Sequence, residues 1–287
     1  MSLAALEAAK AAKEFAKIRA DHHLSADELG ANSDAFIATT TAETFNGGAG
    51  KDLVSYHKSM AGVTVDLFTA GAETGGFAAG DQLNSVEHII GSAYRDYLVG
   101  TSAANTFVGL GGADTLIGGG GADRLYGDGG TDTLIATGTA GVTTFLDGGA
   151  DQDTLFFTTN GGRAEITTGT GTDLTQISIT DARDFHVVIT DFQPYWESQH
   201  GYVTDQEALN GDRLQLRFKA GTGMTDADMA DFQQIISGDD LILHYDNPYV
   251  HGDIVLQDIG QWLDLGVNDG YTFSLDVAFA SPRPMPV

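Results

Sequence analysis

Between Gly91 and Ile135 a large apolar residue returns every nine positions, at Leu98, Phe107, Leu116, Leu125 and Leu134. Written in nines, the stretch reads GSAYRDYLV, GTSAANTFV, GLGGADTLI, GGGGADRLY and GDGGTDTLI, five units without gap or insertion. Each unit opens on Gly (91, 100, 109, 118, 127) and carries Asp96, Asn105, Asp114, Asp123 or Asp132 at its sixth place. The first six places, rich in Gly and in side chains that compete for backbone donors, predict a turn; the last three predict a short strand. In a three-residue strand only the middle side chain points to one face, so the apolar residue looks inward and its neighbours outward. Successive strands then occupy opposite walls, and two units, 18 residues, close one coil. Neighbouring coils stack at the strand spacing of about 4.8 Å. Asp96, Asp114 and Asp132 thereby fall in one column of turns, and Asn105 and Asp123 in the other.

The same pattern returns more weakly on either side. ATTTAETFN (38–46) and GGAGKDLVS (47–55, with Asp52) lie upstream, and GGADQDTLF (148–156, with Asp153) lies downstream. An insertion, 56–90, and an irregular stretch, 136–147, separate these units from the central five. Within the insertion, Val63 to Leu67 alternates as a strand that would extend the sheet. Residues 3–20 differ in kind: Ala-rich, with Leu3, Leu6, Phe15 and Ile18 among Lys and Glu, they predict a helix that packs on its own protein. Ser25 to Glu28 has the spacing of a capping box. Helical spacing returns only at Thr225 to Ile236, through Met229, Phe232, Ile235 and Ile236. The expected organisation is a helical arm over 1–35, a repeat domain over 36–160 and a β-rich region over 161–287.

Charge sharpens the picture. The 287 residues hold 40 acids and 14 bases, a net charge of −26, with 31 Asp against 9 Glu and no Cys. That field repels a polyanion and excludes a basic nucleic-acid binder, while the lack of Cys excludes disulfides, thiolate metal sites and thiol nucleophiles. An Asp column at strand spacing repels itself, and Arg95 and Arg124 are the only bases within the five units. Oxygen-only ligation by carboxylates and turn carbonyls favours Ca²⁺, with its six to eight ligands, over Zn²⁺ or Cu²⁺. No apolar run is long enough to span a bilayer, and the charges at Glu7, Lys10, Lys13, Glu14 and Lys17 leave no uninterrupted apolar core for a cleavable leader.

GGAGKDLVS, GLGGADTLI and GGGGADRLY resemble the GGxGxDxUx nonapeptide of the RTX, or haemolysin-type calcium-binding, repeat. The resemblance implies an all-β fold: a right-handed parallel β-roll holding several Ca²⁺ ions between the turns of successive coils, extended by a C-terminal β-sandwich-like cap. It also implies that the sixth-position Asp supplies side-chain oxygen and the first four turn positions supply carbonyls. Carried over by position, one site joins Leu110, Gly112 and Asp114 to Gly127, Gly129 and Asp132. A second joins Ser92 to Asp96 with Gly109, Gly111 and Asp114, and a third joins Thr101 to Asn105 with Gly118, Gly119, Gly120, Gly121 and Asp123. Asp52 and Asp153 mark outlying sites. Tyr94 and Ala103 stand where the family's second turn Gly would be, Asn105 lacks the charge, and Asp151 replaces that Gly downstream. VVITDFQP, GDRLQLRF, SGDDLILHYD and HGDIVLQDIG resemble the C-terminal sheet of RTX proteins exported by a type I apparatus through an uncleaved C-terminal signal, implying a secreted or surface location. The ending SPRPMPV departs from the usual apolar finish.

The zinc-protease pattern His-Glu-x-x-His and the lipase pattern Gly-x-Ser-x-Gly are both absent from the sequence. His244 and His251 flank a Pro-containing turn and, with Asp253, offer a second metal site or simply a hairpin with exposed His. Tyr195, Trp196, Tyr249 and Trp262 offer a sugar-stacking platform or ordinary core. Two roles stay open at this stage. One is a non-catalytic structural, adhesive or carbohydrate-binding module with a surface polysaccharide partner; the other is a small enzyme with a closed site in 157–287 around His186, His200 or His244.

Overall fold

The computed structural model describes residues 33–159, 161–179, 185–191, 212–218, 233–237, 240–246 and 251–257. The first coils are built from β1 (Ala35–Ile37), β2 (Thr44–Asn46), β3 (Leu53–Ser55), β4 (Thr64–Asp66), β5 (Gln82–Asn84) and β6 (His88–Ile90). The regular middle holds β7 (Tyr97–Val99), β8 (Thr106–Val108), β9 (Thr115–Gly119), β10 (Arg124–Tyr126), β11 (Thr133–Thr137) and β12 (Thr143–Asp147). Longer strands follow as β13 (Thr154–Thr159), β14 (Arg163–Thr167), β15 (Leu174–Ile179), β16 (Phe185–Ile189) and β17 (Arg213–Phe218). β18 (Gln233–Ser237), β19 (Asp240–Asp246) and β20 (His251–Leu256) close the described chain.

From β6 to β17 these strands alternate between two walls, as the nine-residue unit predicts, while β2 and β5 pair only with each other in a separate two-stranded sheet. One wall is an 11-stranded sheet in the order β1-β3-β6-β8-β10-β12-β14-β16-β20-β19-β18, and the other a 7-stranded sheet in the order β17-β15-β13-β11-β9-β7-β4. Pairing within both walls is parallel up to β20, and only β18, β19 and β20 run antiparallel to one another. The register steps by 18 residues where units abut, as in Phe107 opposite Leu125 and Leu98 opposite Leu116. The chain is therefore an all-β parallel solenoid.

The eighth-position residues stack into one interior. Leu98, Phe107, Leu116, Leu125 and Leu134 are all fully buried and share a core with Val54, Ile89, Leu146, Leu155, Ile166 and Ile177. The insertion 56–90 rejoins the solenoid: Val63 to Leu67 supplies β4, which pairs with β7, and β6 re-enters the opposite wall beside β3 and β8. Past residue 160 the parallel pairing continues through β14, β15, β16 and β17. One sequence expectation is overturned. Gln233 to Ser237, read as the end of a helical segment, is strand β18 paired with β19; Ile235 and Ile236 are adjacent, and tertiary pairing overrides a spacing that only four apolar residues supported. The expected helix over 3–20, the Ser25 to Glu28 cap and residues 225–232 lie outside the described residues.

Candidate calcium-binding columns

On the flank that leads into the 7-stranded sheet, the aspartates stack by register into a continuous column: Asp96, Asp114, Asp132, Asp153, Asp173 and Asp212. Each is buried. The column is stitched by one repeated bond, in which the backbone N–H of each Asp donates to Oδ1 of the next. The distances are 2.7 Å for Asp96 to Asp114, 2.7 Å for Asp114 to Asp132, 2.8 Å for Asp132 to Asp153, 2.7 Å for Asp153 to Asp173 and 3.1 Å for Asp173 to Asp212. The opposite flank runs Asp34, Asp52, Glu87, Asn105, Asp123 and then changes character, with Thr144 and Ala164 in the next two places. There Asp34 N–H donates to Asp52 Oδ1 at 2.6 Å and Asn105 N–H to Asp123 Oδ1 at 2.9 Å.

With Oδ1 so used, the second carboxylate oxygen decides the chemistry. Oδ2 of Asp52, Asp114, Asp123, Asp132, Asp153 and Asp173 is buried without any hydrogen-bond partner. Buried acceptors are normally satisfied, and an ionised one left alone is costly. Burial accordingly pushes five of them up: Asp114 to about 7, Asp123 to about 7, Asp132 to about 8, Asp153 to about 7 and Asp173 to about 6. For Asp132 the neighbouring Asp114 and Asp153 carboxylates add to the shift. Such groups require a proton or a cation.

A second oxygen stands ready beside several of them. A side chain built on Gly109 would meet both Asp114 Oδ2 and the Gly127 carbonyl; on Gly127, both Asp132 Oδ2 and the Gly148 carbonyl; on Gly148, both Asp153 Oδ2 and the Thr168 carbonyl. An Oδ2 and the next coil's carbonyl thus converge over a first-position glycine, where only hydrogen leaves room. No group of three or more His, Asp or Glu side chains converges as a metal cage among the described residues. A cation here must complete its shell with main-chain oxygen, which suits a hard ion and not Zn²⁺.

The structure sorts the residues predicted from sequence. Leu110, Gly111, Gly112 and Gly129 do meet across successive turns: Gly112 N–H donates to Gly129 O at 3.0 Å and Gly129 N–H to Leu110 O at 3.1 Å, with Gly111 bridged to Gly129. On the other flank Gly118, Gly119, Gly120 and Gly121 pack against the turn at 100–104. Gly120 N–H donates to Thr101 O at 3.1 Å, and the left-handed φ of Gly119 and Gly121, 89° and 108°, fits no other residue easily. Asp96 and Asn105 differ from the rest. Asp96 accepts from Val63 N–H, Ser92 N–H and Ser92 Oγ, and Asn105 Oδ1 accepts from Thr101 N–H while its Nδ2 donates to Glu87 O. Neither leaves an oxygen unpaired.

Sequence reading missed Asp34, Glu87, Asp173 and Asp212 as column members. Asp173 was within reach, because Thr168-Gly-Thr-Gly-Thr-Asp173 keeps two turn glycines, but its step from Asp153 is 20 residues and breaks the count of nine. Beyond it, Asp191 accepts from Thr168 N–H at 2.7 Å and Gly169 N–H at 2.8 Å, fastening the turn beneath Asp212.

Residues 99–134 match the family described as the RTX calcium-binding nonapeptide repeat, in four copies. These matched repeats lie in the regular middle of the parallel solenoid, from β7 to β11. None of the curated proteins compared with the chain matches it. The repeats mark the roll as a calcium-binding structural element, and no helix among the described residues is long and apolar enough to cross a membrane.

Two predictions arise from this geometry. Asp151 sits at a turn position where the RTX pattern has Gly, holds φ at 78° and raises the Asp153 carboxyl by its charge. Asp151→Gly is expected to raise the melting temperature in chelator by a few degrees, about 1 kcal/mol, as read by circular dichroism. The second concerns pH. Asp114, Asp123, Asp132, Asp153 and Asp173 have folded pKa values of about 6 to 8 against about 4 unfolded, so the ion-free roll takes up protons on folding. Its stability is greatest below pH 4 and falls as pH rises through 8. Calcium requires the ionised form, so its affinity moves the opposite way. Melting temperature in chelator should be higher at pH 5 than at pH 8.5, and the Ca²⁺ midpoint higher too; parallel stability curves with and without Ca²⁺ would refute this.

Proposed function

We propose that the roll holds Ca²⁺ between its turns and completes its folding when it does so, after export to a calcium-rich exterior by a type I apparatus, and then acts as a non-catalytic structural or adhesive module. The observation that carries this reading is the unpartnered, buried Oδ2 of successive column aspartates beside the next coil's carbonyl. Bound Ca²⁺ supplies the positive charge that lets these acids stay ionised. The chain's own part is to fix the oxygens: the N–H to Oδ1 ladder orients each carboxylate, and the first-position glycines keep the space clear. In a low-calcium cytosol the same columns repel themselves, which favours an open, exportable chain.

The proposed ligands are Asp52, Asp114, Asp123, Asp132, Asp153 and Asp173, with carbonyls of the adjoining turns. Circular dichroism should show a partial β signal in chelator, which melts on heating, and a further cooperative gain during Ca²⁺ titration, at midpoints of about 10⁻⁴ to 10⁻³ M typical of extracellular modules. Full β signal in chelator would sink coupled folding, and a flat calorimetric titration would sink calcium binding itself.

A surface for a polysaccharide has support at one edge, where Tyr94 and Tyr97 are about half exposed. Aromatic faces stack on sugar rings, and glycan-array binding lost in Tyr97→Ala would assign that surface. The enzyme reading gains less. His244 Nδ1 lies 2.6 Å from Asp253 Oδ1 and His186 Nδ1 lies 3.9 Å from Asp253 Oδ2, but all three stand partly exposed on the outer face of β16, β20 and β19. His200 lies outside the described residues.

A further inference from the structure

The last turn of the long column departs from those before it. In the earlier coils a glycine stands five residues ahead of the column acid, and its N–H donates to a carbonyl of the next coil. Gly109 reaches Tyr126 O at 2.8 Å, Gly127 reaches Asp147 O at 2.9 Å and Gly148 reaches Thr167 O at 3.0 Å. Ahead of Asp173 that place is held by Thr168, and a carboxylate replaces the carbonyl. Asp191 Oδ1 accepts from Thr168 N–H at 2.7 Å and Asp191 Oδ2 from Gly169 N–H at 2.8 Å. Asp212 comes from a third segment, just before β17, and its Oδ1 accepts the Asp173 N–H at 3.1 Å. Acids from the β14–β15 turn, the end of β16 and the start of β17 thus meet around Thr168.

Two observations point to a ligand among them. The Thr168 hydroxyl lies 3.1 Å from Asp191 Oδ1 and 3.1 Å from Asp212 Oδ2, yet it has one proton and can donate to only one of the two. Asp173 is 1% exposed, and its Oδ2 is buried with no hydrogen-bond partner. Burial pushes this acid up, the Asp153 and Asp191 charges add to that, and the Asp212 side chain works against it, so the Asp173 carboxyl faces the same cluster.

We propose that Asp173, Asp191 and Asp212, with the Thr168 hydroxyl, hold a Ca²⁺ ion that seals the C-terminal end of the column and binds before the repeat turns do. This deepens the reading above for one end of the column, outside the matched residues 99–134. Charge count sets the order. Ca²⁺ affinity is tuned by the number of charged ligands, and here a carboxylate stands where each earlier turn offers a neutral carbonyl. As in those turns, the side chains alone form no closed cage, so main-chain or water oxygen completes the shell. Bound there, the ion would tie β16 and β17 to the turn ahead of β15, a closure that no nonapeptide supplies.

Calorimetric titration of the ion-free full chain with Ca²⁺ should show two phases, the first with a midpoint at least about tenfold below the second. Asp191→Asn and Asp212→Asn each keep Oδ1 as an acceptor and remove one charge. Each should weaken the first phase at least about tenfold and leave the second in place, whereas Asp123→Asn, on the opposite flank, should weaken only the second. In the unsubstituted chain the amide resonances of Thr168, Gly169 and Asp173 should shift during the first phase, ahead of those of Gly112 and Gly129, a readout that stands even if a variant fails to fold. A single phase at the midpoint of the repeat turns overturns the proposal and leaves the repeat reading intact. So does a first phase that both variants leave untouched, or one in which the Gly112 and Gly129 amides move first. A first phase alone would uphold this site and overturn calcium binding by the repeat turns, and a chain that gives neither heat nor shifts would overturn both.

Discussion

Asp132→Asn should stabilise the roll in chelator while blunting its response to Ca²⁺. The residue occupies the middle of the six-carboxylate column, with Asp114 and Asp153 above and below it, and burial and those two charges push it up to about 8. Asn keeps an Oδ1 acceptor for the Asp114 N–H and removes the charge, so the ion-free fold loses a repulsion and keeps its ladder. A rise of several degrees in melting temperature is expected in chelator. With Ca²⁺ the sign reverses: one of the proposed charged ligands is gone, and the titration midpoint should rise at least about tenfold, or about 1.4 kcal/mol. Asp132→Ala separates charge from ladder, because it also strands the Asp114 N–H, at a cost of about 1 to 3 kcal/mol. If Asn lowered stability in chelator, self-repulsion would not be what calcium relieves.

Gly127→Ala should weaken the roll under both conditions. The new methyl group would fall between Gly148 O and Asp132 Oδ2, the two oxygens that converge across that turn. Overpacking of this kind costs about 1 to 3 kcal/mol, and here no charge is removed in return. Chelator melts should therefore fall by several degrees while the Ca²⁺ midpoint rises at least about tenfold. The two variants share one outcome and differ in the other. An unchanged calcium midpoint in Gly127→Ala would place the ion elsewhere than beside Asp132 Oδ2.

The part of the fold that could be read from sequence is the part where nine residues repeat without interruption. There each eighth-position side chain has one inward direction, so Leu98 to Leu134 determine both walls and their 18-residue step. The repeat hid what happens when strands lengthen. β13 and β15 have six residues each, the column steps become 21 and 20, and Asp173 and Asp212 stay in line although no count of nine finds them. The site was legible as a set of residue types and not as a state of satisfaction. Nothing in the letters distinguishes Asp96, whose oxygens are taken by Ser92 and Val63, from Asp114, whose Oδ2 has no partner. Ile235 and Ile236 show the remaining limit, since a strand partner at β19 decided what a helical spacing could not.

The two flanks of the roll differ in a way that bears on its mechanics. Along one, carboxylates continue from Asp96 to Asp212; along the other they stop at Asp123, and Thr144 and Ala164 carry on with a small hydroxyl and a methyl group. If calcium fills the carboxylate column as proposed, ions in the C-terminal half would fasten one seam only, and the opposite seam would be held by packing that no chelator touches. When the ions leave, that half has reason to splay along a single seam, bending like a hinge about the Thr144 and Ala164 side, so its curvature and stiffness would follow the calcium concentration around it.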